Sequence, residues 1–445
     1  MTAGATAKRP TSREVALETV RDVFGEERRG AQEAFDYRVR RADLDARDRA
    51  FAAELAYGAI KMRRTIDWYL APYLSARSKP LPPAIHEVLR LGVYQLRFMG
   101  GVGSHAAVFE TVNLALRHGH RGTAGLVNAI LRRLSTDVPP QPQRADFTSD
   151  EDYWGVRFSV PTWVAALLRS TFGPDACEEI LAGLNAAPQH AVRVDRGRTS
   201  FDALRAQWAA AGRHAARSPF VEDVLVVDEF VPEDPQGRYL VQSESSAMPV
   251  DLLAPQPGER VVDICSGRGH KTLQIAARLE GHGVVESIEL DPRKAQIQRG
   301  LLARFGASCV ALVVGDANTV PVEAEADAVL LDAPCSGLGV LGRHPEARWR
   351  KAPDDVPRHA ALQAQLLRTA ARHVKAGGRL VYSVCSPDPR EGSAIIATFL
   401  EEMPAFARSV LPTRYEPFAR EGAVLVPPGI AGRDGFFIAP LVRRA

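Results

Sequence analysis

Apolar residues recur at two different spacings along this chain. In the first third the spacing is helical. SREVALETVRDVF (12–24) carries Val15, Ala16, Val20 and Val23 behind a cap candidate, Ser12. In 47–74, Phe51, Leu55, Ile60, Ile66 and Leu70 recur every four to six residues. Stretches 83–99, 104–119 and 122–134 read the same way, the last helix starting near Thr123. These spacings predict an all-α domain over 8–138. A Pro- and acid-rich linker is expected over 136–150. From 150 to 236, helical patterns (160–172, 174–185, 201–212) mix with short strand candidates (190–195, 222–230), which predicts a small α/β domain.

After 237 the pattern changes again. RVVDI (260–264), GVVESIEL (283–290), SCVALVV (308–314), ADAVLLD (326–332) and RLVYSVC (379–385) are short apolar runs. Helical patterns at 271–280, 292–305 and 359–374 separate several of them, and Gly281, Gly306 and Gly377 are expected as helix C-terminal caps. Strands alternating with helices predict a parallel, doubly wound sheet over 237–445.

Open sheets of this kind bind ligands outside the carboxyl ends of their strands. The first run ends in Asp263-Ile-Cys-Ser-Gly-Arg-Gly-His-Lys-Thr272, where Gly267 and Gly269 permit a tight turn into a helix N-terminus. It does not match the G-x-x-x-x-G-K-[ST] phosphate loop. The second run carries Glu289, with Asp291 competing for the place of a ribose-binding acid. The third ends at Asp316, the fourth at Asp332-Ala-Pro-Cys335, and the fifth at Ser383-Val-Cys385. Acids and thiols at so many strand ends fit a nucleoside ligand and a cysteine nucleophile better than packing.

Composition narrows the class. With 46% hydrophobic and 24% charged residues, the chain reads as ordinary globular protein. No apolar run approaches the ~18 residues of a membrane span. The N-terminal MTAGATAKRPTSRE lacks an apolar secretory region, so the cytoplasm is the expected compartment. Five cysteines, odd in number and not closely paired, argue against a disulfide framework or zinc ribbon; no metal site is expected. Residues 1–140 hold 22 Lys and Arg against 15 Asp and Glu, and the remainder is mildly acidic. A basic first third is compatible with a polyanion partner.

The motifs resemble those of the RsmB (Sun/Fmu) family of S-adenosylmethionine-dependent RNA cytosine-5 methyltransferases. The resemblance lies in GRYLVQSESSAMPVDLL (237–253), VVDICSGRGHKT (261–272), LLDAPCSGLGVLGRHPEARWR (330–350), GGRLVYSVCSPDPREGSAI (377–395) and DGFFIAPLVRR (434–444). Segments 49–70, 89–98 and 125–134 resemble the family's NusB-like helical domain. The resemblance implies a Rossmann-like class I methyltransferase domain at 237–445, preceded by the small domain and the NusB-like one. It implies S-adenosylmethionine as cofactor and RNA, 16S rRNA in particular, as partner; no obligate protein partner can be read.

It also implies residue roles. Cys385 would add to cytosine C6, Cys335 would assist release of the product, and Asp332 would bind the cytosine's ring-nitrogen and amino edge. Cys265, Ser266, Gly267, Arg268, Gly269, His270 and Lys271 would wrap the methionine part of the cofactor. Glu289 would hold the ribose hydroxyls, Asp316 would approach the adenine amino group, and Asp332 would border the same site. Arg343, His344 and Pro345 match the loop after Pro-Cys, where either RNA phosphate contact or a structural turn is expected.

The chain departs from the family at several points. Where the family has Ala-Ala-Pro-Gly-Gly-Lys, this sequence has Ser266-Gly-Arg-Gly-His-Lys271; Val384 stands for a threonine and Glu289 for an aspartate. Three readings follow: a 16S rRNA methyltransferase, the same chemistry on tRNA or another RNA, or a non-catalytic RNA-binding assembly factor. The two thiols end neighbouring strand candidates, so physical reasoning leaves their roles interchangeable; context favours Cys385 as nucleophile.

Overall fold

The computed structural model describes residues 9–74, 80–137, 141–321 and 325–445. The expected limits at 8 and 138 and part of the 136–150 linker lie outside these. The chain forms two compact units. One is 1–166 together with 344–350; the other is 167–343 together with 351–445.

The first unit is helical: α1 (Ser12–Phe24), α2 (Ala31–Val39), α3 (Ala46–Lys61), α4 (Arg63–Leu74), α5 (Pro83–Arg97), α6 (Ser104–His118), α7 (Arg121–Thr136) and α8 (Asp150–Arg157). Val15, Ala16, Val20, Val23, Leu55, Ile60, Ile66 and Leu70 are buried, as a one-sided helical stripe requires. The cap of α1 is Thr11 rather than Ser12. Its hydroxyl accepts from the Glu14 amide while Glu14 accepts from the Thr11 amide, a reciprocal capping box. α7 begins at Arg121, earlier than the pattern suggests, because the His120 side chain accepts from the Gly122 amide.

The same unit includes 344–350, a segment from far along the sequence. Trp349 Nε1 donates to the Ile60 carbonyl at 2.7 Å, Arg350 Nη2 to the Val23 carbonyl at 2.6 Å, and Arg348 Nη1 to the Ser159 carbonyl at 3.1 Å. Burial pushes the Arg348 guanidinium down to about 9 and the Lys61 ammonium to about 8.

The second unit begins within α9 (Thr162–Phe172) and continues through α10 (Pro174–Gly183). Next come β1 (His190–Val194), α11 (Phe201–Ala210), β2 (Ala215–Arg217), β3 (Val224–Val227) and β4 (Tyr239–Val241). These four strands form an antiparallel sheet in the order β2-β3-β1-β4. Then follow α12 (Glu244–Leu253), β5 (Arg260–Ile264), α13 (His270–Arg278), β6 (Val284–Glu289), α14 (Pro292–Phe305), β7 (Val310–Val314) and β8 (Ala326–Asp332). After the short α15 (Ala347–Arg350) of the first unit come α16 (Asp355–Arg372), β9 (Val374–Val384), α17 (Ser393–Glu402) and β10 (Phe406–Arg408). The chain closes with β11 (Ala419–Arg420), β12 (Ala423–Val426) and β13 (Phe436–Arg443).

Among the described residues these make one sheet, ordered β11-β12-β13-β9-β8-β5-β6-β7 with β10 on β13. β5 to β9 run parallel and β13 antiparallel to β9, a Rossmann-like sheet with an antiparallel edge. Of the expected glycine caps, Gly306 caps α14 at φ +66° and Gly281 lies just beyond α13. Gly377 does not cap α16, which ends at Arg372 with His373 as its cap; it lies within β9, where φ +73° lets the strand bend. Among the described residues no helix is long and apolar enough to cross a membrane.

Candidate active site

β8 and β9 are parallel neighbours with Asp332 opposite Ser383, so the loops that follow them start side by side. Cys335 and Cys385, on those loops, bring their sulfurs to 3.3 Å. Cys335 lies beside Glu391 and shares a hydrogen bond with Cys385; that bond, with burial, drives its thiol well above the usual range. Asp332 Oδ1 accepts from the Ser383 hydroxyl at 2.7 Å, and Oδ2 pairs with Lys271 Nζ at 2.7 Å. Burial opposes the charge on Lys271, but Asp332 outweighs it and Cys385 adds to the effect, so the ammonium is held above its ordinary pKa. One thiol therefore faces an ammonium and the other a buried carboxyl group.

The turn after β5 is built from backbone. Cys265 has φ +61°, Gly267 +62° and Gly269 +87°. A left-handed non-glycine residue such as Cys265 is strained, and such strain collects at binding turns. A Cβ on Gly269 would come within 2.6 Å of Gln298 Cγ, so that position needs glycine for space as well as for φ. A Cβ on Gly267 would meet nothing within 4 Å, so the turn faces open space there. Glu289 Oε2 accepts from the Gly267 amide at 2.7 Å and Oε1 from the Asp291 amide at 2.8 Å. Of the two acids that competed for the ribose place, Glu289 is the one on the turn; Asp291 instead caps α14.

Beneath the turn, Ser266 Oγ bonds Gln298 Oε1 at 3.0 Å, Gln298 Nε2 donates to Ser287 Oγ at 2.6 Å, and Thr272 Oγ1 donates to Asp263 Oδ2 at 2.6 Å. Burial raises the Asp263 carboxyl to about 7 and the Cys265 thiol to about 12, and lowers His270 to about 4.

The expected residues therefore fall into two groups. Cys335, Cys385, Asp332 and Lys271 meet at one edge. Cys265, Ser266, Gly267, Gly269 and Glu289 form the turn. Lys271 connects them, starting in the turn and ending at Asp332. Arg268 and Asp316 are exposed, and Asp316 bonds its own loop through the Asn318 amide at 2.9 Å. Arg343 pairs with Asp434 at 2.8 Å and donates to the Gln189 carbonyl at 2.6 Å, which makes it part of a structural turn; His344 is exposed. Sequence reasoning missed Ser246, whose hydroxyl lies 3.2 Å from Lys271 Nζ, and the buried Gln363 and Glu391 beside the cysteine loops. Pairings across 25 or more residues leave no local spacing to read.

A parallel sheet with this turn and these strand-end groups defines a Rossmann-like methyltransferase domain. Residues 250–442 match the family described as 16S rRNA methyltransferase RsmB/F, residues 10–136 the NusB family, and residues 160–233 the ferredoxin-like domain of RsmF/B-like methyltransferases. The ribosomal RNA small subunit methyltransferase B of Thermus thermophilus is 35% identical over 93% of this chain and 93% of its own. The probable enzyme of that name from Bacillus subtilis is 30% identical over 91% and 93%. The crystal structure of PH0851 superposes with TM-score 0.81 at 26% identity, covering 98% of this chain and 99% of that one. The chain belongs to the RsmB/F family of S-adenosylmethionine-dependent 16S rRNA methyltransferases.

Proposed function

We propose that this protein methylates C5 of a cytosine in 16S rRNA through a covalent bond between Cys385 and C6. The observation that carries the reading is the pair of sulfurs 3.3 Å apart beside the Lys271–Asp332 ion pair. Cytosine C5 is a weak nucleophile. Addition of the Cys385 thiolate to C6 pushes electron density onto C5. When bound, S-adenosylmethionine supplies the electrophilic methyl group. Asp332 binds the ring-nitrogen and amino edge, and Lys271 provides positive potential beside the attacking sulfur. A base then takes the C5 proton, and the electron pair of that C–H bond restores the C5–C6 double bond as the C6–sulfur bond breaks and the Cys385 thiolate leaves. Cys335, next to that sulfur, assists this last step. Sequence context favours this order over the reverse, and Lys271 lies close enough to Cys385 to interact with it.

The residues fit the cofactor. Gly267 opens onto free space, Glu289 keeps a lone pair on each oxygen for ribose hydroxyls, and Leu290 beside it is 67% exposed, an apolar face suited to adenine. Cys265 to Lys271 would surround the methionine part, with Asp316 and Asp332 bordering the site.

The basic helical domain (8–138) would bind RNA, with 150–236 as a separate small domain and 237–445 as the catalytic one. The family description supports 16S rRNA and the relatives' names the small-subunit ribosomal RNA; such a substrate would put the protein in the cytoplasm. Incubating the protein with S-adenosylmethionine and either 16S rRNA or total tRNA, then mapping bisulfite-resistant cytosines, tests the reading. One new resistant position in 16S rRNA is expected. Methylation confined to tRNA would move the assignment to that substrate. Failure to bind cofactor would favour the non-catalytic assembly factor.

A further inference from the structure

Glu391 is fully buried, lies in the turn between β9 and α17 beside Cys335, and carries out no step of the reaction above. Its Oε1 accepts from the Ser336 amide at 2.8 Å and from Gln363 Nε2 at 3.1 Å. Its Oε2 accepts from the Ser386 hydroxyl at 2.6 Å and from the Ser336 hydroxyl through a short bond. Ser336 directly follows Cys335, and Ser386 directly follows Cys385. Gln363 also donates to the carbonyl of Pro334, the residue before Cys335. The Tyr382 hydroxyl, three residues before Cys385, donates to the Glu391 carbonyl at 2.6 Å.

We propose that Glu391 is a positioning residue that clasps the two cysteine-bearing loops together and thereby sets the spacing of the thiols. The assignment of a reaction role to that spacing rests on the cysteine chemistry proposed above; the clasp itself does not.

The donor pattern specifies the residue type. Four groups donate to one side chain, which calls for a group that only accepts. The loops also meet through the Gly339 amide on the Cys385 carbonyl at 2.9 Å and the Ser336 hydroxyl on Ser386 Oγ at 3.1 Å, but these bonds lie on the residues after Cys335, and the sulfur–sulfur hydrogen bond itself is too weak to fix the thiols. A buried carboxylate accepting four hydrogen bonds is far stronger. Glutamine is the informative replacement. Its oxygen can serve the two N–H donors at the Oε1 position. Its amide nitrogen can face the two serine hydroxyls, which rotate and accept instead. Alanine removes the shared acceptor: Gln363 keeps the Pro334 carbonyl and the Ser336 hydroxyl keeps Ser386 Oγ, but the Ser336 amide loses its acceptor and the four-way clasp is gone.

Thiol spacing can be read without RNA or cofactor. Diamide oxidises two adjacent thiols to a disulfide: the thiols give up two protons and two electrons, and the N=N bond of diamide takes them up as a hydrazine. The full-length protein would be treated with diamide, and the rate of Cys335–Cys385 disulfide formation followed by peptide mass spectrometry. Glu391→Ala is expected to slow cross-linking at least tenfold, with the thermal midpoint and S-adenosylhomocysteine binding as controls. Glu391→Gln is expected within threefold of wild type. In the methylation assay, Glu391→Ala should lower kcat and leave KM for RNA unchanged.

Cross-linking of Glu391→Ala at the wild-type rate overturns the proposal. Equal slowing in both variants also overturns it, because charge or volume would then matter rather than the hydrogen-bond pattern. If Glu391→Ala does not fold, the Ser336→Ala/Ser386→Ala double variant carries the test: a threefold or greater slowing supports the clasp, and an unchanged rate removes it. If Glu391→Ala slows cross-linking in a protein that transfers no methyl group, the clasp stands and the enzymatic reading falls.

Discussion

At the cysteine edge Ser336, Ser386, Gln363 and Glu391 are buried and bonded to one another, whereas the turn after β5 opens onto free space at Gly267 and leaves Arg268 exposed, as Asp316 after β7 is also. The contrast follows from what each region must do. Bond formation at carbon requires reacting atoms held within a few tenths of an ångström before substrate arrives. A small-molecule site requires room and unspent hydrogen-bond groups, and a left-handed glycine turn ahead of a helix N-terminus supplies both. The strain at Cys265 sits on the open side, where a ligand can repay it.

The largest expected effect falls on the cysteine edge. Cys385→Ala should lower methyl transfer by on the order of 10³ or more, with no protein–RNA adduct. Cys335→Ala should instead accumulate an adduct that survives a denaturing gel. An adduct trapped by Cys385→Ala and absent from Cys335→Ala would exchange the two roles.

Next comes the residue that joins the regions. Asp332→Asn keeps an acceptor for Ser383 but leaves the buried Lys271 ammonium without its charged partner, with only the Ser246 hydroxyl to accept from it. Methyl transfer should fall about 10²-fold, the size of a lost polar catalytic contact. Steady-state kinetics with cofactor varied should place the loss mainly in kcat; a change confined to the cofactor's KM would assign Asp332 to the open turn alone.

On the open side the effects should be those of binding. Glu289→Ala should weaken S-adenosylhomocysteine binding by ~1–3 kcal/mol, through lost ribose contacts and a freed Gly267 amide. The exposed Asp316→Ala should cost about 0.5 kcal/mol. Calorimetry giving Asp316 the larger loss would contradict Glu289 as the ribose-binding acid.

The two regions also differ in how far they could be read from sequence. β5 and β8 lie where the apolar runs put them, and β6 and β7 start one and two residues later than those runs. Short apolar runs bounded by glycine and acid carry their own period. β9 starts at Val374, ahead of its run at 379, because pairing with β8 through a register shift extends it over Gly377 and Gly378. β2 went unread: three residues, Ala215–Arg217, are too few to show alternation. In the site, the turn was legible because its residues are consecutive. The clasp was not, because Ser336, Gln363 and Glu391 acquire a common role only through tertiary pairing. The membership of 344–350 in the helical unit was unreadable for the same reason, since Trp349 meets a carbonyl 289 residues away.

The smallest expected effect concerns two buried groups of the turn whose pH dependences oppose each other. Asp263 is raised to about 7 by burial, so its contribution to stability is complete below its unfolded pKa and is lost as pH rises toward 7. His270 is lowered to about 4 by burial, so its contribution is complete above its unfolded value and is lost as pH falls toward 4. Between roughly pH 4 and 6.5 the two slopes have opposite signs and largely cancel. Removing either group should expose the other. In Asp263→Asn, where the amide oxygen can still accept from Thr272, stability should fall by about 1 kcal/mol when pH drops from 6.5 to 5.5. In His270→Gln it should rise by a similar amount over the same step. Urea midpoints of the wild type and both variants at the two pH values measure this. Parallel shifts in all three proteins would mean that these groups do not set the pH response of the turn.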